Sequence, residues 1–444
     1  MIAYNYYLPA VLLILIGGYI VNFIIEKLDV AYASPVLPRE FEGYYDAEKY
    51  RKSQSYLKER VRFSLIENAF FTFGVIIFIL AGWFNLIDGF ARSLQQAPLV
   101  TGLIFLGIMY LARYLFSIPF TAYRTFVIEE KYGFNRTTPK TFVADIFKHT
   151  ILTIFIGAII LSAILWFFNV SGGWAWLCSW IAVTAFELFL IFIAPVAIMP
   201  LFNKFTPLEE GELKAAITDY ARSQDFKIKG IYNMDASRRS AKSNAFFTGL
   251  GRYKRIVLFD TLVAKMKTDE LVAVLAHEIG HYKHKDIFKG LAVSVASTGL
   301  MFFALSFFIY SKDFFAAFKM ENISVYAGLF LFTFLYQPVN GLFSIGTNYI
   351  SRRFETSADR FSVDTYKYPG AMIGALKRLG ADNLTNLTPH PLKVFLSYSH
   401  PPVLTRIEAI RSSRDVRSSR DVDGIASQQS SQHNNQQIQP KCKM

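Results

Sequence analysis

Apolar residues along the chain gather in long runs of about twenty, separated by shorter polar stretches. A helix rises about 1.5 Å per residue, so each run is long enough to cross a hydrocarbon layer of about 30 Å. Seven such runs occur, near Leu8 to Ile25, Ala69 to Phe90, Leu99 to Pro119, Thr150 to Phe168, Trp174 to Pro200, Gly290 to Tyr310 and Val325 to Ile345. No basic stretch precedes the first run, and no small-residue cleavage site appears before Glu26 and Lys27, so it reads as a span and not as a signal peptide. Leu201 to Lys289 breaks the pattern with polar and charged residues; within it Lys254 to Asp260 reads as a buried strand and Asp269 to Lys285 as a helix. The expected organisation is five spans with their loops over 1–200, an extramembrane segment over 201–289, two spans over 290–347, and a second extramembrane segment over 348–411. The last stretch, 412–444, carries the motif SSRDV twice among Ser, Gln and Asn and reads as a disordered tail.

Composition supports a lipid setting: 52% of residues are hydrophobic and only 18% charged, below the roughly 25% usual in soluble proteins. This excludes an ordinary soluble domain, a low-complexity chain and a collagen-like repeat. The two cysteines, Cys178 and Cys442, give no disulfide framework. The net charge of +13 points to membrane topology and not to nucleic acid, because the basic residues sit in the connections between apolar runs. Lys27 to Leu65 holds eight Lys and Arg and Phe120 to Lys148 five, against one in Ala91 to Pro98, none in Asn169 to Gly173 and two in Ser311 to Asn322. The positive-inside rule then places the first two of these, the 201–289 segment and the C-terminal region in the cytoplasm, with the N-terminus outside. Arg113 and Glu187 fall inside apolar runs and are expected either to face an interior or to pair locally.

The sharpest chemical signal is HEIGH at His277 to His281. At about 100° per residue the two histidines share one helix face while Leu271, Leu275 and Ile279 point nearly the opposite way, so one helix can both pack and bind metal. Two imidazoles one turn apart suit tetrahedral Zn²⁺, and Glu278 between them is placed to take a proton from water. A chance match is the alternative, made rare by the presence of only seven histidines. His284 reads as a solvated or hydrogen-bonded neighbour. A catalytic zinc needs a third protein ligand, for which the candidate is Glu355 in SRRFETSADRFSVD. Asp359 falls one turn later on the same face, where it can accept the N–H of a ligating imidazole.

HEIGH, ETSAD, SNAFFTG at Ser243 to Gly249, PLFNKFTPLEEGEL at Pro200 to Leu213, EEKYGFNRTT at Glu129 to Thr138 and SHPPVLTRI at Ser399 to Ile407 together resemble the type I CAAX prenyl proteases. The resemblance covers nearly the whole chain apart from the tail. It implies a mainly α polytopic membrane protein, with seven transmembrane helices forming a barrel around a water-filled chamber. A split zinc-metallopeptidase module with a small β-sheet would cap the barrel. By the same resemblance His277, His281 and Glu355 hold one Zn²⁺, Glu278 is the general base and Asp359 supports a ligand. Asn244, Ala245 and Phe246 lie on an edge strand that pairs with substrate backbone, and His400 and Arg406 steady the oxyanion.

The implied substrate is a prenylated protein ending in a CAAX box, which loses its last three residues. The implied location is the endoplasmic reticulum membrane of a eukaryote or the inner membrane of a bacterium, with the site toward the cytoplasm. The lipid bilayer and a peptide or prenylated protein are therefore the expected partners, and nucleic acid is not. Two other readings stand beside this one: a broader quality-control peptidase of membrane proteins with no lipid requirement, and a metal-regulated transporter or channel.

Overall fold

A computed structural model of the chain describes residues 5–248 and 255–412. Seven helices are long and apolar enough to cross a membrane. The first six helices are α1 (Tyr7–Tyr32), α2 (Ala47–Ala81), α3 (Trp83–Ser93), α4 (Pro98–Tyr123), α5 (Pro139–Val170) and α6 (Ala175–Ile193). An extramembrane stretch follows: β1 (Phe205–Pro207), α7 (Glu212–Ser223), β2 (Gly230–Met234), β3 (Ala245–Thr248), β4 (Arg255–Phe259), a single turn α8 (Asp260–Val263) and α9 (Thr268–Lys283). Then come α10 (Asp286–Phe308), α11 (Lys312–Ala317), α12 (Val325–Tyr366), α13 (Pro369–Asp382) and α14 (Pro391–Ser397). The SSRDV repeat, Gly249 and Lys254 lie outside the described residues.

The second apolar run does not form the span expected from Ala69 to Phe90. Its helix ends at Ala81 because Gly82 adopts φ 72°, a left-handed conformation that a glycine reaches without steric cost. Hydropathy cannot register that break, so the expected span merged the end of α2 with the separate helix α3. The fifth run also changes character: its α-helix gives way to a wider turn over Ala194–Ile198, which contains Pro195, a residue with no backbone N–H for the regular ladder.

The spans close into a ring. Going round, α1 packs on α2, α2 on the wide turn Arg124–Glu129 after α4, α4 on α5, α5 on α6, α6 on α10, α10 on α12, and α12 on α1. One end is plugged by a single apolar cluster that includes Val11, Ile79, Phe84, Phe105, Phe168, Phe302, Phe314, Phe318 and Phe332. Gly102 makes this closure possible, since a Cβ there would come within 2.9 Å of the Tyr326 ring and 3.0 Å of Leu165. Below the plug the packing stops. No residue in 16–24, 66–78, 110–123, 139–163, 180–193, 287–298 or 337–354 is buried, so these side chains face either lipid or an open interior. The seven spans therefore form a barrel around a chamber. Arg113 lines a cavity of about 400 Å³ in this region with Glu67, Asn68 and Gln337, and lies 3.2 Å from the Phe71 ring centroid. Glu187 pairs locally instead, accepting a 2.8 Å hydrogen bond from Ser294 Oγ.

The other end of the barrel carries the extramembrane elements. Their sheet has the order β1-β2-β4-β3, with β2 and β4 parallel and the other two pairs antiparallel, which leaves β3 on an edge. Ile231, Ile256 and Leu258 on one sheet face pack with Leu271, Leu275 and Ile279 of α9, the apolar stripe read from its periodicity. The chain alternates along β3, so Ala245 and Phe247 join that layer while Phe246 turns to the opposite face beside Met234 and Val257.

Candidate active site

Helix α9 is anchored at its start. Glu270 accepts from the Lys267 backbone N–H at 3.0 Å and pairs with Arg378 of α13 at 2.9 Å, which fixes the register of everything downstream. Its centre must then approach α12 closely, and Gly280 allows this. A Cβ at Gly280 would lie 3.1 Å from Ala358 Cα and 3.3 Å from the Ala358 carbonyl, both backbone atoms that cannot step aside. Ser362 Oγ donates to the Ala273 carbonyl at 2.8 Å across the same buried seam. The small residues of HEIGH and ETSAD thus set the helix separation that brings their ionisable residues together.

That separation puts His277 Nε2 3.1 Å from His281 Nε2. Glu355 approaches both, with Oε2 3.4 Å from His277 Nε2 and Oε1 3.2 Å from His281 Nε2. The other ring nitrogens are already committed. His277 Nδ1 lies 2.9 Å from Asp359, and His281 Nδ1 lies 3.0 Å from Asp286. A carboxylate at Nδ1 fixes the proton there and leaves the lone pair on Nε2. With both rings neutral, two lone pairs and a carboxylate then converge on one point, and Glu355 Oε2 is buried with no hydrogen-bond donor among the described residues. A divalent cation resolves this conflict, and one ligand atom from each of the three residues lies within 4.8 Å of the others. The residues fit a resident metal.

The supporting carboxylates are themselves neutralised. Arg406 grips Asp359 with Nε at 2.7 Å and a terminal nitrogen at 2.6 Å, and its other terminal nitrogen lies 3.4 Å from Glu355. Burial alone would depress its pKa, but the bonds to Asp359 raise it, so Arg406 is a fixed positive charge. Lys289 lies 3.2 Å from the second oxygen of Asp286. Sequence reasoning missed Asp286; the signal available was an acidic residue at the threshold of a membrane span. His284 is part-buried, edge-on to Phe361, and its Nδ1 has no partner.

Glu278 stands in a cleft of about 200 Å³ with Asn244, Ala245, His277, Glu355, His400 and Arg406. Burial raises its pKa, opposed by the positive influence of His277 and His281. His400 is on the exposed rim, with Nε2 3.2 Å from Glu355 and Nδ1 2.9 Å from Ser399 Oγ. Asn244 and Ala245 reach the cleft from the edge strand; the Phe246 side chain does not, leaving only its backbone on that edge.

Two imidazoles and a carboxylate around one point, with a half-buried glutamate beside them and seven spans beneath, define an integral-membrane metalloendopeptidase. The chain belongs to peptidase family M48, whose family model matches residues 207–414, while the region described as CAAX prenyl protease N-terminal, five membrane helices, matches residues 28–204. It is 34% identical over 411 residues to the CAAX prenyl protease 1 homolog of Arabidopsis thaliana, covering 89% of this chain and 96% of that one. It is 34% identical over 414 residues to the CAAX prenyl protease 1 of Saccharomyces cerevisiae, covering 87% and 90%. The crystal structure of S. mikatae Ste24p superposes with a TM-score of 0.87 at 31% identity, over 91% of this chain and 99% of that one.

Proposed function

We propose that this protein is a zinc-dependent peptidase that removes the last three residues of prenylated CAAX proteins at the cytoplasmic end of its barrel. The observation that carries the reading is the meeting of two Nε2 atoms and the Glu355 carboxylate beside Glu278, in a cleft at the end of a membrane barrel. Zinc, when bound by His277, His281 and Glu355, supplies Lewis acidity that polarises a scissile carbonyl and acidifies water. Glu278 accepts the water proton and returns it to the leaving amine; its raised pKa suits a group that must both take and give.

The edge of β3 at Asn244, Ala245 and Phe246 offers unpaired backbone groups to an extended peptide. His400 donates to the developing oxyanion from the rim, and Arg406 supplies positive charge behind it while holding Asp359 against His277. The Lys and Arg excess in the first two cytoplasmic connections favours an active site on the cytoplasmic side.

The test compares a farnesylated CAAX peptide with its unmodified counterpart on purified protein in detergent, with and without chelator. Cleavage of the farnesylated peptide alone, lost on chelation and restored by zinc, is the expected result. Equal turnover of the two peptides would replace the prenyl reading with that of a broader membrane peptidase.

A further inference from the structure

A second cavity, of about 650 Å³, lies where the cytoplasmic ends of α1 and α2, the turn after α4 and the 383–398 stretch meet. It adjoins the active-site cleft along two chain segments. Lys242 in its wall is two residues before Asn244 and Tyr398 is two residues before His400, so neither cleft residue is more than about 7 Å along the chain from this cavity. Asn383, also in the wall, exchanges hydrogen bonds of 3.2 and 3.3 Å with the backbone of Ser243, immediately before the edge strand.

The ionised groups of this cavity have an ionic or hydrogen-bonding partner, with one exception. Glu26 holds Lys393. Glu129 holds Lys242 at 2.8 Å and accepts from the Tyr56 hydroxyl at 2.6 Å. Arg124 holds Glu67. Asp29 accepts from the His390 backbone N–H at 2.9 Å and from Asn386 at 3.4 Å. Arg60 has no carboxylate at ion-pair distance among the described residues; its guanidinium stands 5.5 Å from the Tyr56 ring centroid. An exposed arginine without a partner, facing a cavity beside a peptidase cleft, is a receptor for an anion.

We infer that Arg60 receives the C-terminal carboxylate of the substrate, which deepens the proposed function and rests on it. Three extended residues span about 10 Å, longer than the roughly 7 Å of chain between Asn244 in the cleft and Lys242 in the cavity wall. A guanidinium fork is the side chain best shaped to take a carboxylate on two parallel hydrogen bonds. The distance also rules out Arg113, the unpaired cation deeper in the barrel. Gln337, which shares its cavity, is about 27 Å along α12 from Glu355, well beyond the reach of three residues. Arg60 would thereby set the length of the released fragment, because a carboxylate anchored there leaves the third peptide bond from the end over the metal ligands.

The test measures kcat/KM for one farnesylated CAAX peptide as the free acid and as the C-terminal amide. The wild-type protein should favour the acid by about ten- to a hundredfold, the range for a charge-assisted hydrogen bond. Arg60→Gln should bring the acid-to-amide ratio close to one, and Arg60→Lys should recover part of it. A ratio that survives Arg60→Gln, or is absent from the wild type, overturns the inference. Should Arg60→Gln fail to fold, inhibition of the wild type by the released tripeptide as acid and as amide decides the matter, equal inhibition counting against Arg60. Failure of the prenyl reading is visible separately as equal turnover of farnesylated and unmodified peptides, and the acid-to-amide ratio is then read on the unmodified peptide.

Discussion

At the plugged end of the barrel Phe84, Phe105, Phe302, Phe314, Phe315 and Phe318 are at most 2% exposed, while at the end that carries the cap the buried side chains include, beside its apolar layers, four ionisable ones, His277, Asp286, Glu355 and Asp359, at 4% to 7%. The plug gains mainly from many weak contacts without direction, with a buried polar exception in Asp88, which accepts from the Tyr326 hydroxyl at 2.6 Å and from Arg92 at 2.8 Å. The cap has the opposite character: each ionised group there would be costly alone, and every one is placed by a specific partner. One helix serves both ends. The first part of α12 contributes Tyr326, Leu331 and Phe332 to the plug, and its last part carries Glu355 and Asp359 to His277 and His281. The same helix thus ties packing at one end to the geometry of the other, about 35 to 50 Å away. The two ends should therefore fail in different ways.

The largest separation is expected from Glu278→Gln. The amide keeps the shape of the carboxylate but cannot take a proton, so kcat should fall about 10²- to 10⁴-fold, the usual worth of a general base. Bound zinc and the melting temperature should match the wild type, because Glu278 is not one of the three converging ligand residues. Wild-type turnover by this variant would remove the assigned role.

Phe318→Ala probes the other end. Phe318 is fully enclosed and meets the rings of Phe314 at 5.4 Å and Phe334 at 6.0 Å between centroids. Its truncation should cost about 3 kcal/mol, the low end for a buried phenylalanine, because unfolded spans in detergent keep an apolar surrounding. Zinc stoichiometry measured below the lowered melting temperature should stay at the wild-type level. Loss of metal at full stability would mean that the plug shapes the site directly and that the division between the ends is false.

Much of this contrast was legible in the sequence, and the parts that were not share a cause. His277 with His281, and Glu355 with Asp359, lie within unbroken helices, where periodicity alone fixes which residues share a face. The seven runs of apolar residues were legible for the same reason, each being one uninterrupted demand for lipid. Periodicity loses its meaning where the backbone turns left-handed. Gly82 does so between α2 and α3, and the expected second span ran through it. Lys285 does so at φ 59° between α9 and α10, and that turn swings Asp286 back beneath His281, where helical spacing would not have put it. The hollow of the barrel was not readable from spacing at all, since an apolar residue facing lipid and one facing a chamber have the same composition. The resemblance to a family supplied that expectation, and the intramembrane charges Arg113 and Glu187 pointed the same way, Arg113 lining a cavity inside the barrel.

Asp286 gives the smallest and most pointed test of the contrast. In Asp286→Asn the side chain can still accept the His281 Nδ1–H, but the negative charge that makes this imidazole a strong donor to metal is gone, and Lys289 loses its counter-ion. Zinc affinity should fall about 10- to 100-fold, the typical cost of losing a carboxylate behind a ligating histidine. The pH dependence separates this from general damage. In the metal-free protein burial disfavours the charged form of His277, but the bonds to Asp359 and Glu355 prevail and raise its pKa from 6.5 to about 9. Its protonated form therefore stabilises the metal-free fold fully below pH 6.5, and that contribution is lost as pH rises through about 9. Zinc needs the neutral imidazole, so its apparent affinity should climb across the same window, by about tenfold per pH unit while one proton is displaced. Asp286 touches His281 and not His277, so the variant should lower the curve and leave the step set by His277 in place, while the His281 step moves to lower pH, because burial lowers that pKa and the bonds to Glu355 and Asp286 are what raise it. Competition against a fluorescent zinc chelator between pH 6.5 and 9 reads both quantities, and an unchanged curve would reduce Asp286 to a tether for Lys289.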